Sequence, residues 1–418
     1  MARTYICSLD VGSSKIAACC AGIKGNRITD ITFETGDSRG VKNGSIVDSV
    51  ELVEAIGKVM KSLRQKSGVA VKSVVAGLSG QDIITKHSRG VIPLAERGSK
   101  VISSMDVEKV IAQARILGSS IDEETIHCIP FSYTVDAKDG IANPVGLYGH
   151  KLEVDLYLIC AKLSSVQTLA HAVGQAGLQL DEMYLSGLAS NEVVFGNSLR
   201  KGTDILCDIG KDFIELLFFT DGQIRNILTL PGGGADFTAV VADSLDIPSA
   251  LAEEIKRSHG LVGDYSRVKD DQEVLVKKES GYKPIRQRLL CEILTSKAKS
   301  MAAALKENIE KVVPLAEVNN FVLMGRTIKQ EGLLELLEQE LGISVEYARV
   351  QDPRISVPAD KARELFEGRK NLTYITSLGL VLLSLYSMQV KASSPLSSHP
   401  NPVLRLIGKA KEIYQEYF

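Results

Sequence analysis

Two short strings in this chain carry the residue types that hold phosphate. The first, LDVGSSK (Leu9–Lys15), sets Asp10 and Gly12 at a turn between two apolar strands, followed by the hydroxyls Ser13 and Ser14 and the cation Lys15. Backbone N–H groups at such a turn cradle phosphate oxygens, and neighbouring hydroxyls add donors. A carboxylate at Asp10 suits hydrated Mg²⁺, which takes one or two carboxylates and keeps several waters. An Asp-x-Gly turn serves equally well as a plain β-hairpin, so one copy decides little. The second string, CDIG (Cys207–Gly210), repeats the Asp-x-Gly pattern at Asp208 and Gly210. Two such hairpins facing each other would clamp a nucleotide's phosphates between two domains, with Asp10 and Asp208 as the candidate Mg²⁺ ligands.

The elements around the two strings echo one another. Strands are expected at Tyr5–Leu9, Lys15–Ile23 and Thr29–Glu34, then a helix over Ser49–Gln65 from the spacing of Leu52, Val53, Ile56, Val59, Met60 and Leu63. The second progression has strands at Ile205–Ile209, Phe213–Phe219 and Gln223–Leu230, with a helix over Asp236–Ser244. Such an internal echo points to two structurally related halves. Between them lie a strand at Ser73–Leu78, a helix at Asp106–Leu117, loop and strand over Ile126–Gly149, a strand at Leu152–Ala161 and a helix at Ser164–Ala176. A strand at Val318–Met324 and a helix at Glu331–Leu341 follow, and LGLVLLSL (Leu378–Leu385) reads as a buried helix too short to span a bilayer.

The last residues, NPVLRLIGKAKEIYQEYF (Asn401–Phe418), read as an amphipathic helix on a tether, KASSPLSSHP (Lys391–Pro400). Val403, Leu406, Ile407, Ala410, Ile413, Tyr414, Tyr417 and Phe418 form an apolar stripe, with Arg405, Lys409 and Lys411 beside it. That pattern suits a membrane surface or a partner's groove; the alternative is a helix packed back on its own domain. A net charge of −2 over 418 residues gives no field favouring nucleic acid. Seven cysteines without paired spacing, and no secretory leader pattern at the start, fit reduced thiols in a cytosolic protein.

Across nearly its full length the chain resembles the actin-like ATPase superfamily, and within it the FtsA family of bacterial cell-division proteins. The resemblance rests on the two phosphate strings, on SRGVKNGSIVD (Ser38–Asp48), GLSG (Gly77–Gly80), HCIPFSYTVD (His127–Asp136), SGLAS (Ser186–Ser190), AEEIKRSHG (Ala252–Gly260) and YITSLGL (Tyr374–Leu380). NPVGLYG (Asn143–Gly149) is the most family-specific string. The implied fold is α/β, an actin-like (ribonuclease H-like) two-domain fold with the FtsA-type inserted subdomain and a C-terminal amphipathic helix. Implied subdomains are 1–82 with 163–200 and a closing helix at 373–388; an insert at 83–162; 201–236 with 312–372; and 237–311. A linker at 389–400 and the membrane helix at 401–418 complete the chain.

The resemblance implies ATP with Mg²⁺ in the cleft, head-to-tail self-assembly, and anchoring of FtsZ filaments to the cytoplasmic face of the membrane alongside other division proteins. The FtsZ C-terminal peptide would dock on Ile247–Lys311, with Lys283, Arg286 and Arg288 as candidate contacts. Glu253 and Lys256 match positions near the ribose. The chain departs from the family at two loops. Asp-Ile-Gly-Gly-Gly-Thr plus an acid is replaced by Asp208-Ile-Gly210-Lys211-Asp212-Phe213-Ile-Glu215, which loses a glycine and a hydroxyl. After the strand at Val322–Met324 only Gly325 remains of a glycine run, followed by Arg326 and Thr327. Lys211 would compensate as a point charge, and Arg326 would stack on adenine or fill the pocket. With no Glu or Gln in LYLICAK (Leu156–Lys162), slow hydrolysis at best is expected. Two alternatives share the fold: a true actin-like ATPase or sugar kinase, and a pilus-assembly adaptor of the PilM kind, which lacks the tethered tail.

Overall fold

The apolar runs of the first half pair into a five-stranded sheet in a computed structural model that describes residues 4–95, 98–196, 200–278, 281–369 and 371–393. Thr4–Val11 pairs antiparallel with Lys15–Lys24, which pairs antiparallel with Arg27–Asp37. On its other edge Thr4–Val11 lies parallel to Ser73–Leu78, and that strand lies parallel to Gln179–Leu185. Lys15–Lys24 is buried along nearly its whole length, because helices cover both faces of the sheet. Helix Ser49–Ser67 lies on one face with Leu52, Ile56, Met60 and Leu63 buried. Asp48 caps it, accepting from Val50 N and Glu51 N, and Gly68 ends it in the left-handed region.

The second half repeats this wiring. Thr203–Ile209 pairs antiparallel with Phe213–Thr220, which pairs antiparallel with Gln223–Pro231. Thr203–Ile209 also lies parallel to Val318–Met324, followed by Val345–Tyr347. Strand order and direction are the same in the two sheets, so the echo seen in the sequence is a duplicated architecture. One continuous apolar core joins them, with Ile6, Cys19 and Ile28 of the first half in the same cluster as Leu206, Leu217 and Phe237 of the second. Helix Ile375–Ser393 closes the first half. It crosses helix Ser186–Val194 at Gly379, where a Cβ would lie 1.8 Å from the Ala189 carbonyl oxygen. This helix runs past the 388 expected, into the segment read as tether.

An insert leaves the first half after Ser73–Leu78 and returns before Leu163–Gln175. Its four-stranded sheet places Lys151–Lys162 between Ile83–Pro93 and Glu123–Val135, with helix Ser104–Gly118 packed across it. Ile126–Gly149, read as loop and strand, is mostly the long strand Glu123–Val135 plus a short one at Lys138–Ile141. In the second half, the segment over 247–311 holds helices Ser249–His259 and Gln287–Glu310. Between them, the basic stretch read as loop-like is an antiparallel hairpin, Glu273–Lys278 with Gly281–Arg286. Its charges mask an alternation in which Val274, Val276 and Ile285 are buried. Among the described residues no helix is long and apolar enough to cross a membrane. Asn401–Phe418 and the tether beyond Ser393 lie outside the described residues.

Candidate functional site

The two phosphate strings form the same turn. Gly12 N donates to the Lys15 carbonyl at 3.0 Å, and Gly210 N donates to the Phe213 carbonyl at 3.0 Å. Each turn projects an aspartate from the end of a central strand, so Asp10 and Asp208 meet at the base of the cleft between the halves. The crowding shows in their acidity. Burial raises Asp10, with Lys15 opposing. Burial raises Asp208 to about 6, with the Asp10 charge adding and Lys15 opposing. Lys15 Nζ lies 3.8 Å from Asp10 Oδ2 and donates to the Thr373 carbonyl. Gly325 is needed here: at φ 98°, a Cβ on it would lie 2.4 Å from Asp208 Oδ1.

Above this base opens a cleft of about 940 Å³, lined by Ser13, Ser14, Lys211, Glu253, Lys256 and Arg326 among others. Helix Ser249–His259 presents Glu253 and Lys256 on one face. Lys256 Nζ is buried and donates to Glu253 Oε2 at 2.5 Å, Thr238 Oγ1 at 2.7 Å and the Gly234 carbonyl at 2.9 Å. Burial lowers the Lys256 pKa. For Glu253, burial pushes up but is outweighed by the bonds from Lys256 and Thr238. The pair is therefore one wall of the cleft and not a solvated surface couple.

The departures from the glycine pattern have definite positions. Asp212 turns its carboxylate out of the cleft to accept Asn43 N–H at 2.9 Å. Phe213 packs on Gly44, where a Cβ would lie 3.2 Å from Phe213 Cε1. Arg326 Nη1 donates to Ser14 Oγ at 3.0 Å, so the guanidinium fills the space between the halves. Lys211 is exposed. Ser13 Oγ accepts from Gly44 N at 3.1 Å.

Sequence reasoning passed over three groups. Glu215 is 2 % exposed, sits directly opposite Asp208 across the hairpin, and is raised to about 8 by burial first and the Asp208 charge second. Its Oε1 has no hydrogen-bond partner, and neither has the buried Ser186 Oγ. The hairpin register alone places Glu215 beside Asp208, so this group was within reach of the sequence. Lys329 and Arg257 also line the cleft. Lys329 is lowered by burial, then by the charges of Arg326, Lys15 and Arg257. That crowd of cations is a tertiary effect with no local signal.

These groups fit a magnesium–polyphosphate ligand. A facing carboxylate pair with raised pKa values is what a divalent cation neutralises, and cations that depress one another are what an anion relieves. Asp10 and Asp208 would hold the metal, which would neutralise phosphate charge.

The partner candidates are gathered on the second half, away from the cleft base. Lys283 Nζ donates to the Leu245 carbonyl at 2.6 Å. Arg288 pairs with Asp270 at 2.5 Å and Glu292 at 3.7 Å. Arg286 is exposed at the end of the hairpin. His127 is a core residue: its Nε2 accepts from Leu185 N at 2.9 Å, and burial lowers it to about 4.

A family model described as "SHS2 domain inserted in FTSA" matches residues 80–160, and one described as "Cell division protein FtsA" matches 205–379. Together they take in more than half of the chain. The cell division protein FtsA of Pseudomonas aeruginosa is 26% identical over 97% of this chain and 96% of its own. That of Borreliella burgdorferi is 27% identical over 95% of this chain and 97% of its own. Among solved structures, a PilM-PilN type IV pilus biogenesis complex matches with TM-score 0.61 at 17% identity, over 92% of this chain and 99% of its own. MreB 5 of Spiroplasma citri bound to AMPPNP matches with TM-score 0.51 at 12% identity, over 93% and 97%. At these identities the structural likenesses establish the actin-like fold and nothing finer.

Proposed function

This chain belongs to the FtsA family of cell-division proteins, and from that premise we propose that it binds ATP with Mg²⁺ in the interdomain cleft and ties FtsZ filaments to the membrane. The observation that carries the nucleotide part is the meeting of Asp10, Asp208 and Lys15 at the base of a cation-lined cleft. Asp10 and Asp208 hold the metal, while Ser13, Ser14, Lys15 and Lys211 face the phosphates. Gly210 and Gly325 leave room for the ligand. Glu253 and Lys256 wall the ribose side, and Arg326 lies toward the adenine. A relative of the same fold, MreB 5 of Spiroplasma citri, is described as bound to AMPPNP, which supports this placement.

Hydrolysis is slow, because positioning is what phosphoryl transfer requires and two loops have lost glycines that let the backbone approach phosphate closely. Self-assembly is head to tail, since heterologous contacts that do not close make filaments; a matched structure of the fold is titled "MamK double helical filament". Lys283, Arg286 and Arg288 contact the acidic FtsZ peptide. Asn401–Phe418 enters the cytoplasmic face of the membrane, and assembly multiplies weak tails into firm attachment.

Calorimetric titration of full-length protein with MgATP tests the site. Saturable binding at or below millimolar concentration is expected. No binding at that concentration, or turnover at roughly 1–10³ s⁻¹ as in ordinary enzymes, contradicts the reading.

A further inference from the structure

Three of the residues that depart from the phosphate-loop pattern touch the opposite half of the molecule. Asp212 accepts from Asn43 N–H, Phe213 rests on Gly44, and Arg326 donates to Ser14 Oγ. Asn43 and Gly44 form the tip of a small hairpin, Val41–Lys42 with Ser45–Ile46. Both tip residues have positive φ, 52° and 78°, so the turn points its N–H groups outward. One N–H goes to Asp212 of the second half, the other to Ser13 of the first phosphate turn. The hairpin tip thus bridges the two phosphate turns. At the far side of the cleft Lys329 Nζ reaches Thr373 Oγ1 at 3.0 Å.

We propose that Asp212, Phe213 and Arg326 form an interdomain clasp that joins the two phosphate turns directly, and that phosphate reaches Ser14 only by displacing it. The nucleotide half of this inference rests on the cleft reading given above; the clasp itself does not. The physical reason is competition. The shared apolar core already fixes the base of the cleft, so only the mouth is free to move. In a glycine-rich loop the mouth is closed through backbone bonds to phosphate. Here a carboxylate, a ring and a guanidinium make that closure directly. Arg326 occupies Ser14 Oγ, a group the phosphates would use. The Asn43–Asp212 bond lies at the solvent edge and contributes little alone; the half-buried Phe213 and Arg326 contacts contribute more.

Hydrogen exchange on the full chain, with and without MgATP, tests this. In the variant combining Asp212→Gly, Phe213→Thr and Arg326→Gly, the Asn43 amide is expected to exchange about tenfold faster than in the natural chain without nucleotide. MgATP should restore protection in the variant, change little in the natural chain, and bind the variant about tenfold tighter. Arg326→Ala alone should give a smaller change of the same sign. Unchanged protection over Ser73–Leu78 checks that each variant is folded. Equal exchange at Asn43 without nucleotide overturns the clasp, as does strong MgATP protection of that amide in the natural chain. If no protein binds MgATP at millimolar concentration, the nucleotide reading falls, and the nucleotide-free exchange alone judges the clasp.

Discussion

Glu215 lies directly opposite Asp208 in the antiparallel hairpin of the second half, and the two carboxyls face the same cleft base. Among the described residues no cation pairs with Glu215, and its Oε1 has no partner. The consequence is a protonated acid at neutral pH, raised to about 8.

That arrangement fixes the pH dependence of stability. A carboxyl raised in the folded state binds its proton more tightly there than when unfolded. Its contribution is full below the unfolded value near 4.5 and is lost as pH rises through about 8. With chelator present, melting temperature is expected to fall between pH 5 and pH 9, and Glu215→Gln should flatten that fall. The difference should be on the order of a few kcal/mol across the window. A variant as pH-sensitive as the natural chain would count against a neutral Glu215.

Asp10→Ala should remove MgATP affinity while leaving the fold intact, because Asp10 is one of two carboxylates available to the metal. Removing it also frees Lys15 from its neighbour at 3.8 Å. Undiminished titration heats in the variant would place the metal elsewhere.

Gly379→Ala is expected to destabilise the chain by roughly 1–3 kcal/mol or more. The added methyl meets the Ala189 backbone at 1.8 Å, where helix Ile375–Ser393 crosses helix Ser186–Val194. Neither backbone yields as a flexible side chain would. Denaturant titration reads this directly, and a midpoint equal to that of the natural chain would refute the crossing.

The repeated wiring of the two sheets was legible because apolar runs and Asp-x-Gly turns recur in the same order. Strand pairs with tight turns fix their own register, and the helix at Ser49–Ser67 announced itself by its apolar spacing. What stayed hidden depends on distant segments. Asn43 gives no sign that its N–H faces Asp212, and nothing near Arg326 points to Ser14. The hairpin Glu273–Arg286 was obscured because Lys283, a charged residue, stands opposite Val276 on the face where Val274, Val276 and Ile285 are buried. Glu215 is the exception, since counting back from the turn places it beside Asp208.

Arg286→Glu should weaken binding of the FtsZ C-terminal peptide more than Arg288→Glu does. Arg288 is already engaged by Asp270 and Glu292 and stacks over Tyr265. Affinity should also fall with salt, as expected for rim charges. Fluorescence anisotropy with labelled peptide measures both, and unchanged affinity in the doubly reversed protein would exclude these residues.

Leu406→Glu with Ile407→Glu should abolish pelleting with anionic liposomes while leaving the globular halves folded. Burying one large apolar side chain is worth about 1.5–3 kcal/mol, and each nearby Lys or Arg adds about 1 kcal/mol on an anionic surface. Two new carboxylates in the stripe reverse both contributions. Pelleting equal to that of the natural chain would favour a tail packed on its own domain.

Co-sedimentation of FtsZ filaments with anionic liposomes tests the adaptor role most directly. FtsZ is expected in the liposome pellet when the full chain is present, and in the supernatant when the chain is omitted or lacks residues 401–418. FtsZ left in the supernatant while the full chain itself pellets would contradict the role.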